Sequence, residues 1–211
     1  YDNSSPTLLG CMFTSNTAFS GGGMYNYIGS TPILLDCTFS YNTASDTGWK
    51  GGGAIYNYES DASFANCTFD HCTALQGGGV WNLGSTPMFA NCVFLNNAAQ
   101  YGAGMFLNRS SATLSTCIFE ENSGTGTLSL GAGIYSQLED NLILNACEFL
   151  SNSASIGGGM YQYQTTSTLS DCSFTSNMAD IQGGGLHLSR CSATLTDCTL
   201  QSNTADTGDG I

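Results

Sequence analysis

Residues 89–105 read FANCVFLNNAAQYGAGM, and this pattern returns along the whole chain. The apolar Phe89 lies three positions before Cys92, Phe94 lies two after it, and Asn97 lies five after it. A glycine cluster then leads to the apolar Met105. The cysteines that anchor the pattern are spaced 25, 26 or 30 residues apart: Cys11, Cys37, Cys67, Cys92, Cys117, Cys147, Cys172 and Cys198. Self-similarity at such a period is typical of solenoid proteins.

Each position of the repeat keeps its residue type. The position three before the cysteine holds Leu8, Leu34, Phe64, Phe89, Leu114, Leu144, Leu169 and Leu195. The position two after it holds Phe13, Phe39, Phe69, Phe94, Phe119, Phe149, Phe174 and Leu200. The position five after it holds Asn16, Asn42, Cys72, Asn97, Asn122, Asn152, Asn177 and Asn203. The residue that follows the glycines is Met24, Ile55, Val80, Met105, Ile134, Met160, Leu186 and Ile211.

The pattern predicts short strands rather than helices. Cys92 and Phe94 are two residues apart, so they lie on one face of a strand. Glycine is costly inside a helix, and no helical apolar spacing runs through a unit. We therefore predict a right-handed parallel β-helix of eight coils of about 25 residues, each adding ~4.8 Å along the axis. It forms a single domain over residues 1–211.

Stacked coils place equal positions in ladders along the axis. We expect the leucine, cysteine, phenylalanine and post-glycine positions to fill the interior. The asparagines are expected at a corner, where their amides bond to one another and the backbone is left-handed. The glycines allow positive φ or close packing against the next coil. The extra residues of the two longer units are expected to form loops at 46–50 and 125–129.

Composition restricts the partners of the chain. Only three residues are basic against 16 acidic, which gives a formal charge of −13. Nucleic acid is excluded as a partner, because its binding needs clustered Lys and Arg. No apolar run approaches the ~18 residues that a membrane span needs. Ten cysteines favour an extracellular or cell-surface location.

Two motifs resemble those of a known family. The segments Phe39-Ser40-Tyr41-Asn42 and Gly52-Gly53-Ala54-Ile55 are similar to the repeats of chlamydial polymorphic membrane proteins. The same motifs occur in a wider set of right-handed β-helix surface proteins, and the resemblance covers the whole chain. It implies a β-helix that is exported and, as in many members, involved in adhesion.

The two ends of the chain continue one another's repeat. Gly208-Asp209-Gly210-Ile211 followed by Tyr1-Asp2-Asn3 reproduces the order found after each internal glycine cluster. We expect copies to stack head to tail, because a heterologous contact that does not close generates a filament. The alternative is a segment cut from a longer β-helix. The predicted subunit interface comprises Tyr1, Asn3, Leu8, Cys11, Phe13, Leu195, Cys198, Leu200, Asn203 and Ile211.

The remaining candidate sites are cysteines, sequons and aromatic residues. Cys72 and Cys191 break the repeat and are the candidates for disulfides, each with a nearby ladder cysteine such as Cys67 or Cys198. The ladder thiols are expected to pack as small apolar groups, and no Cys-x-x-Cys indicates a metal. Glycosylation sequons begin at Asn3, Asn66 and Asn108. Strand alternation predicts an outward aromatic stripe, which either binds ligands or forms a stacked ladder: Tyr25, Tyr56, Trp81, Phe106, Tyr135 and Tyr161.

Catalysis is not expected. Asp171 and Asp197 precede cysteines on adjacent coils, but no basic residue accompanies them as a polysaccharide lyase would need. His71 and His187 lie in different units and suggest no dyad. We expect no cofactor and no metal. The expected function is a structural subunit of an extracellular filament or surface fibre. The alternatives are an adhesin that binds glycans or proteins, through the aromatic stripe or the loop near Trp49, and then a polysaccharide-degrading enzyme.

Overall fold

The chain folds into short strands joined by tight bends. The computed structural model describes residues 3–46, 48, 51–138 and 140–211, and these residues contain no helix. The strands are β1 (Thr7–Leu9), β2 (Met12–Thr14), β3 (Thr17–Ala18), β4 (Met24–Tyr27), β5 (Ile33–Leu35), β6 (Thr38–Ser40), β7 (Thr43–Ala44), β8 (Ile55–Tyr58), β9 (Ser63–Ala65), β10 (Thr68–Asp70), β11 (Val80–Leu83), β12 (Met88–Ala90), β13 (Val93–Leu95), β14 (Ala98–Ala99), β15 (Met105–Asn108), β16 (Thr113–Ser115), β17 (Ile118–Glu120), β18 (Ser123–Gly124), β19 (Ile134–Gln137), β20 (Asn141–Asn145), β21 (Glu148–Leu150), β22 (Ser153–Ile156), β23 (Met160–Tyr163), β24 (Thr166–Ser170), β25 (Ser173–Thr175), β26 (Met178–Gln182), β27 (Leu186–Ser189), β28 (Ser192–Thr196) and β29 (Thr199–Gln201).

Three long sheets run along the axis, and each takes one strand from successive coils. The leucine sheet is β1-β5-β9-β12-β16-β20-β24-β28, and the phenylalanine sheet is β2-β6-β10-β13-β17-β21-β25-β29. The aromatic sheet is β27-β23-β19-β15-β11-β8-β4, and short strands after the asparagines form two smaller sheets. Neighbouring strands are parallel and in register, as in Phe69 with Phe94 and Phe94 with Phe119. The predicted parallel β-helix is confirmed, with eight stacked units that make about 7 full turns.

The predicted interior ladders are confirmed. Leu34, Cys37, Phe39 and Ile55 are fully buried in one continuous core, and so are their counterparts in the later internal coils. The phenylalanine rings stack face to face, with Phe94 at 4.7 Å from Phe69 and 4.5 Å from Phe119. The core is therefore one apolar column rather than a set of separate clusters.

The asparagine ladder is also confirmed. Asn97, Asn122, Asn152 and Asn177 are buried, and each donates its Nδ2 to the Oδ1 of the next asparagine at 2.9–3.0 Å. The backbone N–H of each donates to the same Oδ1. This arrangement satisfies polar groups that burial would otherwise leave unpaired.

The left-handed backbone lies one residue earlier than expected. The ladder asparagines do not have positive φ; the residue before each does, as in Tyr41 (φ 55°), Asn96 (φ 53°) and Glu121 (φ 52°). The residue before each ladder cysteine is likewise left-handed, as in Asp36 (φ 53°). Each asparagine therefore serves as a hydrogen-bonding group beside the corner, and its neighbour makes the bend.

One glycine of each cluster, three residues before the buried apolar position, has a conformational role. Gly102 has φ of 60°, and a Cβ there would meet the carbonyl oxygen of Met105. The next residue, Ala103, occupies a position that is glycine in most other units and has ordinary φ. Both predicted uses of glycine, positive φ and close packing, therefore occur at neighbouring positions.

The extra residues of the longer units lie largely where they were expected. Residues 125–129 lie outside the strands, between β18 and β19, and Leu128 is exposed. Of the loop at 46–50, only Asp46 and Gly48 belong to the described residues, so Trp49 lies outside them. One extra residue of the later unit falls instead in the bend between β19 and Asp140.

Candidate interaction surfaces

The first and last coils expose core positions that are buried elsewhere. Leu8, Cys11 and Phe13 in the first coil are only partly buried, although their internal counterparts are fully buried. Phe13 stacks on Phe39 at 4.5 Å, whereas internal phenylalanines stack on both sides. Leu195, Cys198 and Leu200 in the last coil are partly buried in the same way. The predicted interface residues therefore divide between two axial faces that carry matching residue types.

The other predicted interface residues occupy the same two faces. Asn3 is exposed and its backbone N–H donates to the Ile28 carbonyl at 2.9 Å. Asn203 is 7% exposed, and Ile211 is 57% exposed. Tyr1 lies outside the described residues. Asn203 is the last member of the asparagine ladder, and Asn16 is the first.

All ten cysteines are free thiols in the structure, so it gives no support to the predicted disulfides of Cys72 and Cys191. Cys72 instead occupies an asparagine position: the Asn42 Nδ2 lies 3.9 Å from its Sγ, and its own N–H donates to the Asn97 Oδ1 at 2.9 Å. Burial raises the pKa of the Cys72 thiol to about 11. Cys72 is thus a small substitute within the ladder.

Cys191 belongs to a second polar ladder, which was not predicted although each member lies seven residues before a ladder cysteine. Its internal members lie at the corner between the aromatic and leucine sheets: Ser30, Ser60, Ser85, Ser110, Asp140, Thr165 and Cys191. Ser85 shows the pattern, since its Oγ accepts from the Ser60 N–H at 3.1 Å and donates to the Leu83 carbonyl. The Cys191 Sγ lies 3.4 Å from the Thr165 Oγ1. A cysteine again replaces a small hydrogen-bonding residue.

Asp140 is an ionisable member of this second ladder. It is 1% exposed, and its carboxylate accepts from the Ser110 N–H, the Ser136 Oγ at 2.7 Å and the Gln137 N–H at 3.0 Å. Burial raises the pKa of Asp140 from its ordinary value near 3.8 to about 7. The repeat spacing marks its position, seven residues before Cys147, but it is the one carboxylate at a position otherwise held by Ser, Thr or Cys.

The aromatic residues form a stacked ladder, but the predicted exposure is wrong for four of the six. Tyr56, Trp81, Phe106 and Tyr135 are 1–7% exposed and form a second apolar cluster outside the main core. Successive rings stack, as in Tyr56 on Trp81 at 4.3 Å. Side chains on either side cover the row: Tyr58, Leu83, Tyr101 and Leu130. Only Tyr25 and Tyr161 are partly accessible, and ligand binding by the row stays a prediction.

The sequon asparagines differ in exposure. Asn3 and Asn66 are exposed, and the Asn66 Nδ2 donates to the Asp36 Oδ1 at 3.0 Å. Asn108 is partly buried, and its Oδ1 is enclosed without a hydrogen-bond partner. Asn108 is therefore poorly placed for glycosylation, whereas Asn3 and Asn66 are accessible.

The remaining titratable groups form no compact centre among the described residues. Asp171 and Asp197 both occupy the left-handed corner before a cysteine. His71 pairs with Asp70 at 2.6 Å, and His187 stacks on Tyr161 at 5.0 Å in a different sheet. In the described part of the chain, no three His, Cys, Asp or Glu residues are placed to hold a metal ion. The same part contains no helix long and apolar enough to cross a membrane.

Comparison with known proteins places the fold. Among solved structures, the chain is similar to QnrB1, a plasmid-mediated fluoroquinolone resistance protein, at 14% identity. The match covers 90% of this chain and 92% of that chain, but its TM-score of 0.26 is too low to support an argument. No curated protein matches the chain. The family model for the right-handed beta helix region matches residues 1–133, more than half of the sequence. The chain therefore belongs to the right-handed β-helix family.

Proposed function

We propose that this chain is a structural subunit of an extracellular filament or surface fibre, and that copies polymerise head to tail by continuing the β-helix. The observation that supports the proposal is the match between the two axial faces. Leu195, Cys198 and Leu200 on one face correspond to Leu8, Cys11 and Phe13 on the other, and both sets are only partly buried. Stacking one face on the other would bury both.

Hydrogen bonding supports the same contact. In each internal asparagine step, a backbone N–H and an Nδ2 donate to the Oδ1 of the next coil. The N–H and Nδ2 of Asn203 and the Oδ1 of Asn16 would form the same step between two copies. The edge strands β1 and β28 would pair in the same way, since exposed strand edges readily pair with another chain.

Sedimentation velocity of the full chain over a range of concentrations tests the proposal. The wild type should form species larger than one copy that grow with concentration. Leu200→Lys places a charge on the axial face and should prevent growth into species of ever larger size, because an unpaired buried charge is costly. Gln201→Lys is the matched control: it adds the same charge to the same strand on the outward side. Growth that is absent in the wild type, or equal in all three proteins, would rule out axial stacking.

The extracellular location belongs to this proposal and rests on the resemblance to exported surface proteins. The ten cysteines are free thiols in the structure, so no disulfide adds support to this location. The proposed role is mechanical and involves no catalytic step. Adhesion comes second, because four of the aromatic residues that would bind a ligand are buried and Trp49 lies outside the described residues. Polysaccharide degradation comes third.

A further inference from the structure

The outer face of the leucine sheet differs from the rest of the surface in its charge. None of its eight strands contains a charged residue, although the chain carries 16 acidic residues. The outer face of the phenylalanine sheet carries Asp70, Glu120 and Glu148. Two copies of a chain with net charge −13 repel one another across most approaches. Two copies that meet through their leucine sheets bring no carboxylates together at the centre of the contact.

This face also exposes large apolar side chains. Leu9 is 67% exposed, Ile33 44%, Met88 57% and Ile143 41%. A groove lined by Leu35 and Ala90 lies between Ile33 and Met88. Exposed apolar patches of this kind mark interaction sites.

The exposed side chains alternate in size along the axis. One outward row of the sheet, in coil order, is Thr7, Ile33, Ser63, Met88, Thr113 and Ile143. Small and large side chains therefore follow one another coil by coil. A row of this kind is complementary to itself when the second copy runs in the opposite direction.

We propose that two copies of this chain pair side by side through the outer face of the leucine sheet, related by a two-fold axis that reverses the direction of the rod. Met88 of each copy then lies opposite Ser63 of the other. Ile33 lies opposite Thr113, and Ile143 lies opposite Thr7. Each large side chain fills the space above a small one, which is how facing layers interdigitate. A two-fold contact of this type is closed, so it produces pairs rather than sheets of rods.

The charges at the borders of the face fit this register. Asp36 and Asp61 lie at the corners beside the second and third coils. In the proposed pair, Asp36 faces Thr116 and Asp61 faces Thr86, so neither carboxylate faces another. Asp171 and Asp197 lie beside the last two coils, which extend past the partner.

The pairing is independent of axial stacking and is tested with the axial face blocked. In the Leu200→Lys chain at moderate salt, sedimentation equilibrium should give the mass of two copies. Adding Met88→Asp should weaken the pair at least about a hundredfold, because it buries an unpaired charge in an apolar contact. Adding Thr68→Asp, which puts the same charge on the phenylalanine sheet, should leave the pair unchanged. A single-copy mass before these additions, or equal weakening by both, overturns the proposal.

The register has its own test. In a chain whose partly exposed Cys11, Cys191 and Cys198 are changed to serine, Ile33→Cys with Thr113→Cys places two thiols three coils apart, roughly 14 Å within one chain. A short bifunctional maleimide should then join them between copies, and the control below uses the same serine background. Thr38→Cys with Ile118→Cys is the control on the phenylalanine sheet, in the same two coils. Covalent dimers only from the first pair support the register, and dimers from both or from neither contradict it. Failure of axial stacking would leave both results unchanged.

Discussion

The side-chain amide of Asn122 connects three coils, because its Nδ2 donates both to the Phe94 carbonyl and to the Oδ1 of Asn152, each at 2.9 Å. Its own Oδ1 accepts from the Nδ2 of Asn97 at 3.0 Å. The ladder therefore links neighbouring coils through side chains as well as through the sheets. It also gives each buried amide a partner at both ends.

Replacing Asn122 tests how much this link contributes. Asn122→Leu leaves the Asn97 Nδ2, the Asn97 N–H and the Phe94 carbonyl without their partner, so we expect a loss of roughly 2–4 kcal/mol in the free energy of unfolding. Denaturant unfolding followed by circular dichroism measures it. Cys72→Asn is the reverse change, since it restores the amide to the ladder, and it should stabilise the fold by about 1 kcal/mol. Equal effects of the two changes would contradict the role given to the ladder.

Asp140 predicts a dependence of stability on pH. Its folded pKa of about 7 lies above the ordinary value near 3.8, so the folded state holds the proton more tightly. The stabilisation is complete below about pH 4 and is lost as the pH rises through 7, with a slope of up to about 1.4 kcal/mol per pH unit.

The matched comparison for Asp140 uses two variants. Asp140→Asn should remove this slope, whereas Asp171→Asn at an exposed corner should keep it. The measurement is the free energy of unfolding at intervals between pH 4 and 8. A wild-type profile that is parallel to that of Asp140→Asn would show that the buried carboxyl does not titrate as described.

Two neighbouring positions in one glycine cluster should respond differently to substitution. Gly102→Ala forces an alanine into positive φ and brings its Cβ against the Met105 carbonyl. It should therefore lower the free energy of unfolding by roughly 2–5 kcal/mol. Ala103→Gly keeps ordinary φ and should cost about 0.5–1 kcal/mol. Thermal unfolding of both variants gives the comparison. Similar losses would indicate that the backbone conformation at Gly102 is not the constraint.

The free thiols predict a pattern of chemical reactivity. Cys11, Cys191 and Cys198 are partly exposed, and the other seven cysteines are buried. The adjacent Cys117 thiol, together with burial, raises the pKa of Cys147 to about 12, so its reactive thiolate is scarce. Maleimide labelling of the native chain with peptide mapping should modify the three exposed thiols first. A reducing agent should leave the unfolding temperature unchanged; a large fall would reveal a disulfide.

The sequence predicts the fold well because each repeat unit forms one coil, and equal positions of successive units stack on one another. The spacing of Cys92 and Phe94 identifies one face of a strand, and the recurrence of that pair in every unit identifies the ladder. The same reasoning predicts on which side of a sheet Trp81 lies. It does not predict which residues cover that side. Tyr101 and Leu130 pack against the aromatic row, and they come from the segments just before the glycine clusters of other coils. The predicted exposure of the aromatic row was wrong for this reason.

Residues that replace a ladder member are harder to interpret from sequence. Cys72 and Cys191 appeared to be out of place because cysteines were expected only at the anchor position. Each substitutes for a small polar residue at another position of the repeat, and the structure shows the hydrogen-bonding role that the substitute takes over. Asp140 was missed because it is a carboxylate at a position, seven residues before the ladder cysteine, that other units fill with Ser, Thr or Cys.

Electron microscopy of the full chain tests axial stacking most directly. The account predicts rods whose length grows with protein concentration and whose density repeats along the axis at roughly 38 Å, the height of eight coils at ~4.8 Å each. Leu200→Lys should reduce these rods to particles that are one subunit long. Uniform short particles at every concentration, with no axial repeat, would contradict the account.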